Sequence, residues 1–229
     1  MRKPIVAFDG ARFTLAVLLL TAAACTSGLG QLQTARTLPL GEVRQSVSAG
    51  LDWNFMIKTR GPLPGNAVLE YGARFGVRDN VDVGVKMFFG LGALIDAKVQ
   101  VIHRQRLAVS VLGGAGAAYD VSSGGQVVHA PALLLASYSV ADVFTPYLGV
   151  GYGAFWIFNY GSDGNVPPGS IPAPRAWHGD GLMMLHAGFE LGSKRRVLLE
   201  YGYLRPIVDD PGDHFEFAVN HLILGSFQF

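Results

Sequence analysis

The residues best suited to chemistry in this sequence are carboxylates and histidines in two loop-like stretches near the C-terminus. Asp163, His178 and Asp180 lie in one; Asp209, Asp210, Asp213 and His214 lie in the other, within "DDPGDH". A carboxylate beside a histidine can help it take a proton from water, the elementary step of peptide hydrolysis. The same oxygens would suit a hard cation such as Ca²⁺. His186 and Glu190 share one face of an extended segment, but four residues along a strand is about 13 Å, beyond hydrogen-bond reach. There is no phosphate loop, zinc-ligand spacing or nucleophile elbow. The sequence is therefore read as having no catalytic residue, no metal site and no cofactor, with the Asp/His stretches as solvated loops.

Cys25 is the one cysteine in the chain. Met1-Arg2-Lys3 and Arg12 precede an apolar run, Phe13 to Ala24. About a dozen residues is too short for a membrane helix of roughly 20. A basic start, a short apolar core and small residues at the exit make a secretory signal peptide, expected over residues 1–24. Ala22-x-Ala24 fits ordinary small-x-small cleavage. "TAAAC" also resembles the lipobox of bacterial lipoproteins, which implies that Cys25 is diacylated and becomes the new N-terminus. A lone exported cysteine has no intramolecular disulfide partner, which favours the anchor. Thr26 in place of Asp implies, by the same resemblance, sorting to the outer membrane. Residues 25–42, "CTSGLGQLQTARTLPLGE", read as a polar tether.

Net charge is +1, with 15% charged and 50% hydrophobic residues and 30 glycines. There is no basic excess for nucleic acid. An apolar, Gly-rich chain without helical spans suits a membrane β-barrel. From Val43 the pattern has period 2. Val43, Val47, Leu51 and Phe55 alternate with polar residues; Leu69, Tyr71, Ala73, Phe75 and Val77 alternate with Glu70, Gly72, Arg74 and Gly76. Such alternation argues strand. Short turns at "RDN", "RQR", "ADVFT" and "SKRR" separate longer connections around Lys58, Val121, Tyr160 and Pro206, though the connection near Leu91 is short as well. The expectation is an all-β, transmembrane, antiparallel up-and-down barrel of about ten strands over residues 43–229. Pro131, inside the sixth strand, predicts irregular pairing there.

Alternation does not say which face is outside, since a lipocalin-type barrel alternates with apolar side chains inside. Low charge, aromatics near strand ends and a Gly-rich polar face favour a polar interior. That interior would hold Arg44, Asp52, Glu70, Arg74, Asp82, Lys86, Asp96, Lys98, Glu190 and Glu200. Both signs are present, so a structural salt-bridge network is expected, with Glu70, Arg74, Lys86, Lys98, Glu190 and Glu200 at its heart. His221 breaks the apolar series of the last strand and is read as facing lipid or an interface.

The ending Phe227-Gln228-Phe229 resembles the C-terminal signal read by the bacterial barrel-assembly machinery. "YGARFGVRDNVDVGVK" resembles the periplasmic hairpin of outer-membrane barrels. With "TAAAC" and "QTARTLPLGE", the chain resembles uncharacterised bacterial outer-membrane barrel lipoproteins. That resemblance implies an outer-membrane location with both termini periplasmic. The implied partners are outer-membrane lipids, lipopolysaccharide and the assembly machinery, with no small-molecule ligand named. The function read from this is a non-enzymatic envelope role: structural, surface-interacting or a narrow passage. Two alternatives stay open. One is a rim-acting protease or lipid hydrolase, since Asp and His at a barrel rim resemble the omptins. The other is a periplasmic lipocalin-like lipoprotein.

Overall fold

The computed structural model describes residues 32–55, 66–88, 92–120, 125–159, 175–176, 181–207 and 219–229. The strands are β1 Val43–Phe55, β2 Asn66–Arg78, β3 Val81–Phe88, β4 Gly92–His103, β5 Leu107–Asp120 and β6 Gly125–Tyr138. They continue with β7 Phe144–Asn159, the two-residue β8 Arg175–Ala176, β9 Gly181–Leu191, β10 Arg196–Ile207 and β11 Val219–Gln228. Each long strand pairs antiparallel with the next, β7 pairs with β9, and β1 pairs with β11. The ring is therefore a closed ten-stranded up-and-down barrel, which leaves no edge strand to be protected. β8 only pairs with the last two residues of β7.

One end carries the tight turns: Asp79–Asn80, Arg104–Arg106, Ala141–Val143 and Gly192–Arg195. Gly192 takes φ +106 there, a left-handed conformation that glycine adopts without a Cβ clash. Residue 42 and the C-terminus lie at this turn side. The longer connections, β1–β2, β7–β9 and β10–β11, leave from the opposite, loop side, where β3–β4 and β5–β6 are joined by short ones. Asp163, His178, Asp180, Asp209, Asp210, Asp213 and His214 fall outside the described residues.

The irregularities are local. Register shifts occur at Gly76/Arg78 and at Gln100/Ile102, both near the turn side. At Pro131 the ladder to β5 skips from Ala132–Gly113 to His129–Gly116 and resumes in the same register. Proline has no N–H to donate, so the gap sits where the chemistry requires it.

The period-2 pattern resolves into two faces. Outward positions carry Val47, Leu51, Phe75, Met87, Ile95, Val99, Leu148, Ile223 and their neighbours, with Met87, Ile95 and Leu148 all more than half exposed. Soluble proteins rarely leave a continuous apolar belt of this kind to water. Inward positions carry Glu70, Asp82, Asp96, Lys98, Ser110, His186 and Glu200, all nearly inaccessible. Aromatics border the belt: Trp156 and Tyr203 towards the loop side, and Phe75, Tyr138, Phe227 and Phe229 towards the turn side, with Tyr152 and Tyr201 near mid-strand.

Candidate functional site

The lumen is divided along its axis. Its loop-side half is filled by Val68, Phe88, Leu94, Leu112, Leu133, Met184, Leu204 and Leu222, each 2% exposed or less. Its turn-side half carries most of the buried charged groups, with Leu135 and Leu198 among them, and these groups converge on a segment of the chain itself. Residues 32–38 enter through the turn-side mouth ahead of β1 and lie across the lumen as an extended strap. Leu32, Gln33, Thr34, Ala35 and Leu38 are buried. This segment belongs to the second half of the stretch expected to be a tether.

The entrance is built for the chain. The Gly41 N–H donates to the Gly76 carbonyl (2.8 Å), and the Gly76 N–H donates to the Glu42 carbonyl (2.9 Å). A Cβ on Gly76 would collide with the Pro39 carbonyl oxygen, so only glycine fits against the strap here.

Inside, the barrel wall reads the strap mainly through its backbone. The Leu38 N–H donates to Asp82 Oδ2 (3.1 Å) and the Thr37 N–H to Gln100 Oε1 (3.1 Å). Lys98 Nζ donates to the carbonyls of Thr34 (3.0 Å) and Arg36 (2.8 Å). The Ser110 hydroxyl donates to the Ala35 carbonyl. At the far wall the Leu32 N–H donates to Glu200 Oε2 (2.7 Å), and Gln228 Nε2 donates to the Leu32 carbonyl (3.3 Å). Buried backbone groups must be paired, and the lumen supplies the partners that a sheet would otherwise give. The Leu32 side chain seats among Val68, Tyr147, Leu198, Leu222 and Leu224; Ala35 packs with Ala108, Leu112 and Leu135.

Most of the charged residues singled out from the sequence line this half of the lumen; Glu70, opposite Phe88 in the β2–β3 ladder, stands with the loop-side group. Arg74 bridges Asp82 and Asp96. Lys98 Nζ stands 3.4 Å from Asp82 Oδ2. Asp82 thus faces two cations and one strap amide. Glu190 pairs with Arg196, and Arg44 with Glu42 (3.0 Å) at the mouth. Glu200 also accepts from the Tyr147 hydroxyl (2.9 Å) and is hydrogen-bonded to His186 Nδ1 (3.1 Å). Glu70 is 2% exposed, and its carboxylate oxygens have no hydrogen-bond partner among the described residues. Lys86 is the cation acting on it most strongly. The side chain of Asp52 lies outside the described residues.

His186 and Glu190 are not brought together: His186 turns to Glu200 on the neighbouring strand, and Glu190 to Arg196. The strap was not anticipated from the sequence, nor were Tyr147, Ser110, Gln100 and Gln228 as its partners or those of Glu200. The spacing Leu32, Ala35, Leu38 in "LQTARTL" was the available signal. A cavity of about 50 Å³ remains beside the strap, lined among others by Arg44, Arg74, Lys86 and Glu190. That is room for water, not for a metabolite. Among the described residues no group of three His, Cys, Asp or Glu could hold a metal ion.

On the outer wall, His221 meets the rings of Tyr201 and Tyr203, with centroids 5.8 and 5.6 Å away, and its Nδ1 is hydrogen-bonded to the Tyr201 hydroxyl. Phe227 and Phe229 stack at 6.0 Å on the same wall. Phe229 exchanges backbone hydrogen bonds with Gln45 (3.1 and 3.0 Å), completing the seam between the last strand and the first. Cys25 lies outside the described residues.

No protein-family model and no curated protein matches the chain. Solved structures do resemble it. Neisserial surface protein A matches with TM-score 0.43 at 8% identity, over 81% of this chain and 95% of that one. The outer-membrane protease OmpT from Escherichia coli matches with TM-score 0.43 at 9% identity, over 86% and 99%. The COG4313 outer-membrane channel from Pseudomonas putida F1 matches with TM-score 0.44 at 10% identity, over 85% and 97%. A protease and a channel stand together in this set, and likeness of this degree carries no argument about what the present chain does.

Proposed function

We propose that this chain is an outer-membrane β-barrel, exported by residues 1–24 and anchored by lipid on Cys25, with a non-enzymatic envelope role exercised through its wall and loops. The observation that supports this best is the occupied lumen inside an apolar exterior. A closed ring satisfies every backbone group within itself, as a bilayer demands. Its outer wall is apolar where a water-soluble barrel would be polar. Among the described residues its interior holds the strap on one side and packed leucines on the other, and the cavity beside the strap, about 50 Å³, has room for water only. Phe227 and Phe229 form the ending on which the assembly machinery acts.

Two gels and one bilayer test this reading. The membrane fraction should give a fast unboiled band that slows on boiling. The reconstituted protein should leave a planar bilayer non-conducting, and it should still do so when residues 26–40 are deleted, because the leucine layer remains. Steady single-channel steps from the full chain would refute the closed-lumen reading. Release of the Cys25→Ser protein into detergent-free buffer, with no gel shift, would refute the membrane reading.

A further inference from the structure

The outer wall carries one chemical anomaly. Between the two rims, the outward positions of the described strands are Val, Leu, Ile, Ala, Gly, Met, Pro and aromatics, with a few uncharged polar residues and no carboxylate. Two basic side chains interrupt this belt, Arg205 and His221, and they are neighbours. Tyr203 lies opposite His221 in the β10–β11 ladder, and Arg205 is two residues further along β10. In an antiparallel pair such diagonal neighbours are roughly 7–8 Å apart, within reach of long side chains. Both stand towards the loop side, near the start of β11 and the end of β10. Arg205 is exposed and has no ion pair or hydrogen bond among the described residues. Tyr201 fixes the His221 ring through its hydroxyl, and Tyr203 meets the ring edge-on at 73°.

We propose that Arg205, His221, Tyr201 and Tyr203 form a site for the phosphate of a membrane-lipid headgroup, with the acyl chains lying on the apolar wall below. The inference rests on the membrane reading above. A guanidinium on a lipid-facing wall needs an anion, and the described residues place none beside Arg205. Its planar fork matches two phosphate oxygens, while its stem can run along the wall to the headgroup level. Tyrosines place their hydroxyls at that same level. With no carboxylate beside them among the described residues, Arg205 and His221 make this patch complementary to an anion.

The test uses the full chain in detergent, with diphosphorylated lipid A as the probe and native mass spectrometry to count bound lipid. The wild type should hold lipid A at least tenfold more tightly than the double variant Arg205→Gln, His221→Gln. Arg195→Gln at the opposite rim should bind as the wild type does. Enzymatically dephosphorylated lipid A should bind the wild type no better than intact lipid A binds the double variant. Millimolar inorganic phosphate should not displace the lipid, because a free phosphate lacks the chains. Equal retention by wild type and double variant, both running as fast unboiled bands, would overturn the site alone. A wild type with no fast band would overturn the membrane reading, and the site with it.

Discussion

Replacing Lys98 by methionine should release the strap and leave the barrel standing. Lys98 is 2% exposed and donates to two strap carbonyls at 3.0 and 2.8 Å. Hydrogen bonds from a charged donor contribute about 1.5–3 kcal/mol each, so the two together come to roughly 3–6 kcal/mol. Part of this is returned, because the ammonium no longer has to be held away from water. Methionine also refills the space of the aliphatic stem. A net loss of about 3 kcal/mol falls on the strap, in line with breaking a buried charged contact. Asp82 keeps Arg74 and the Leu38 amide, although Arg74 is then the one cation shared by Asp82 and Asp96 in this cluster.

That figure translates into a labelling rate. Ala35 is fully buried beneath Ser110. An Ala35→Cys probe, in a chain that also carries Cys25→Ser, reacts with a polar maleimide only when the strap opens. When reclosing is fast, the rate follows the opening equilibrium. At about 1.4 kcal/mol per tenfold, Lys98→Met should speed labelling on the order of 100-fold. The fast unboiled band must be retained, so that global unfolding is not what is measured. A rate within threefold of the parent, with that band intact, would refute the claim that Lys98 holds the strap.

Two further substitutions test the same geometry from other sides. Gly76→Val drives a Cβ into the Pro39 carbonyl, so it should displace the strap entrance and raise labelling of the Ala35→Cys probe; Gly113→Ala, whose Cβ would meet nothing within 4 Å, should leave the rate unchanged. Glu200→Gln disturbs the contacts to Leu32, Tyr147 and His186 together and should lower the urea midpoint of the fast band by an amount worth about 2 kcal/mol, against about 1 kcal/mol for Tyr147→Phe, which removes a single hydrogen bond. The reverse order would show that Glu200 is not the centre of that cluster.

The strands and their faces could be read from period 2 because one side of the ring meets an apolar surrounding and the other does not. The lumen was harder to read, for two physical reasons. Leu133, Leu134 and Leu135 follow one another in β6, so inside and outside look alike there; only ring closure separates the buried Leu133 and Leu135 from the exposed Leu134. The strap was hidden for a different reason. Its hold is on backbone amides and carbonyls, which every sequence has, so "QTART" carries no mark of being bound. The Glu200–His186 contact was nearer to hand. The hairpin through Gly192 puts Gly188 opposite Glu200 and His186 opposite Gly202, so the two side chains are diagonal neighbours on the inner face.

The strap's partners also say when it can be complete. Its contacts to Asp82, Lys98, Gln100 and Ser110 lie on β3, β4 and β5, within 44 to 75 residues of the strap. Its contacts to Glu200 and Gln228 lie 168 and 196 residues away, on β10 and β11. The first group exists as soon as the N-terminal half of the sheet has formed; the second exists only when β11 pairs with β1. Before closure, Leu32 has neither the Glu200 carboxylate nor the Leu198, Leu222 and Leu224 packing that buries it. Loop closure of that length is costly until the contacts it brings reward it. The strap and the β1–β11 seam therefore stabilise each other, and a barrel that closes around its own N-terminal segment encloses the groups that fill it instead of an aqueous channel.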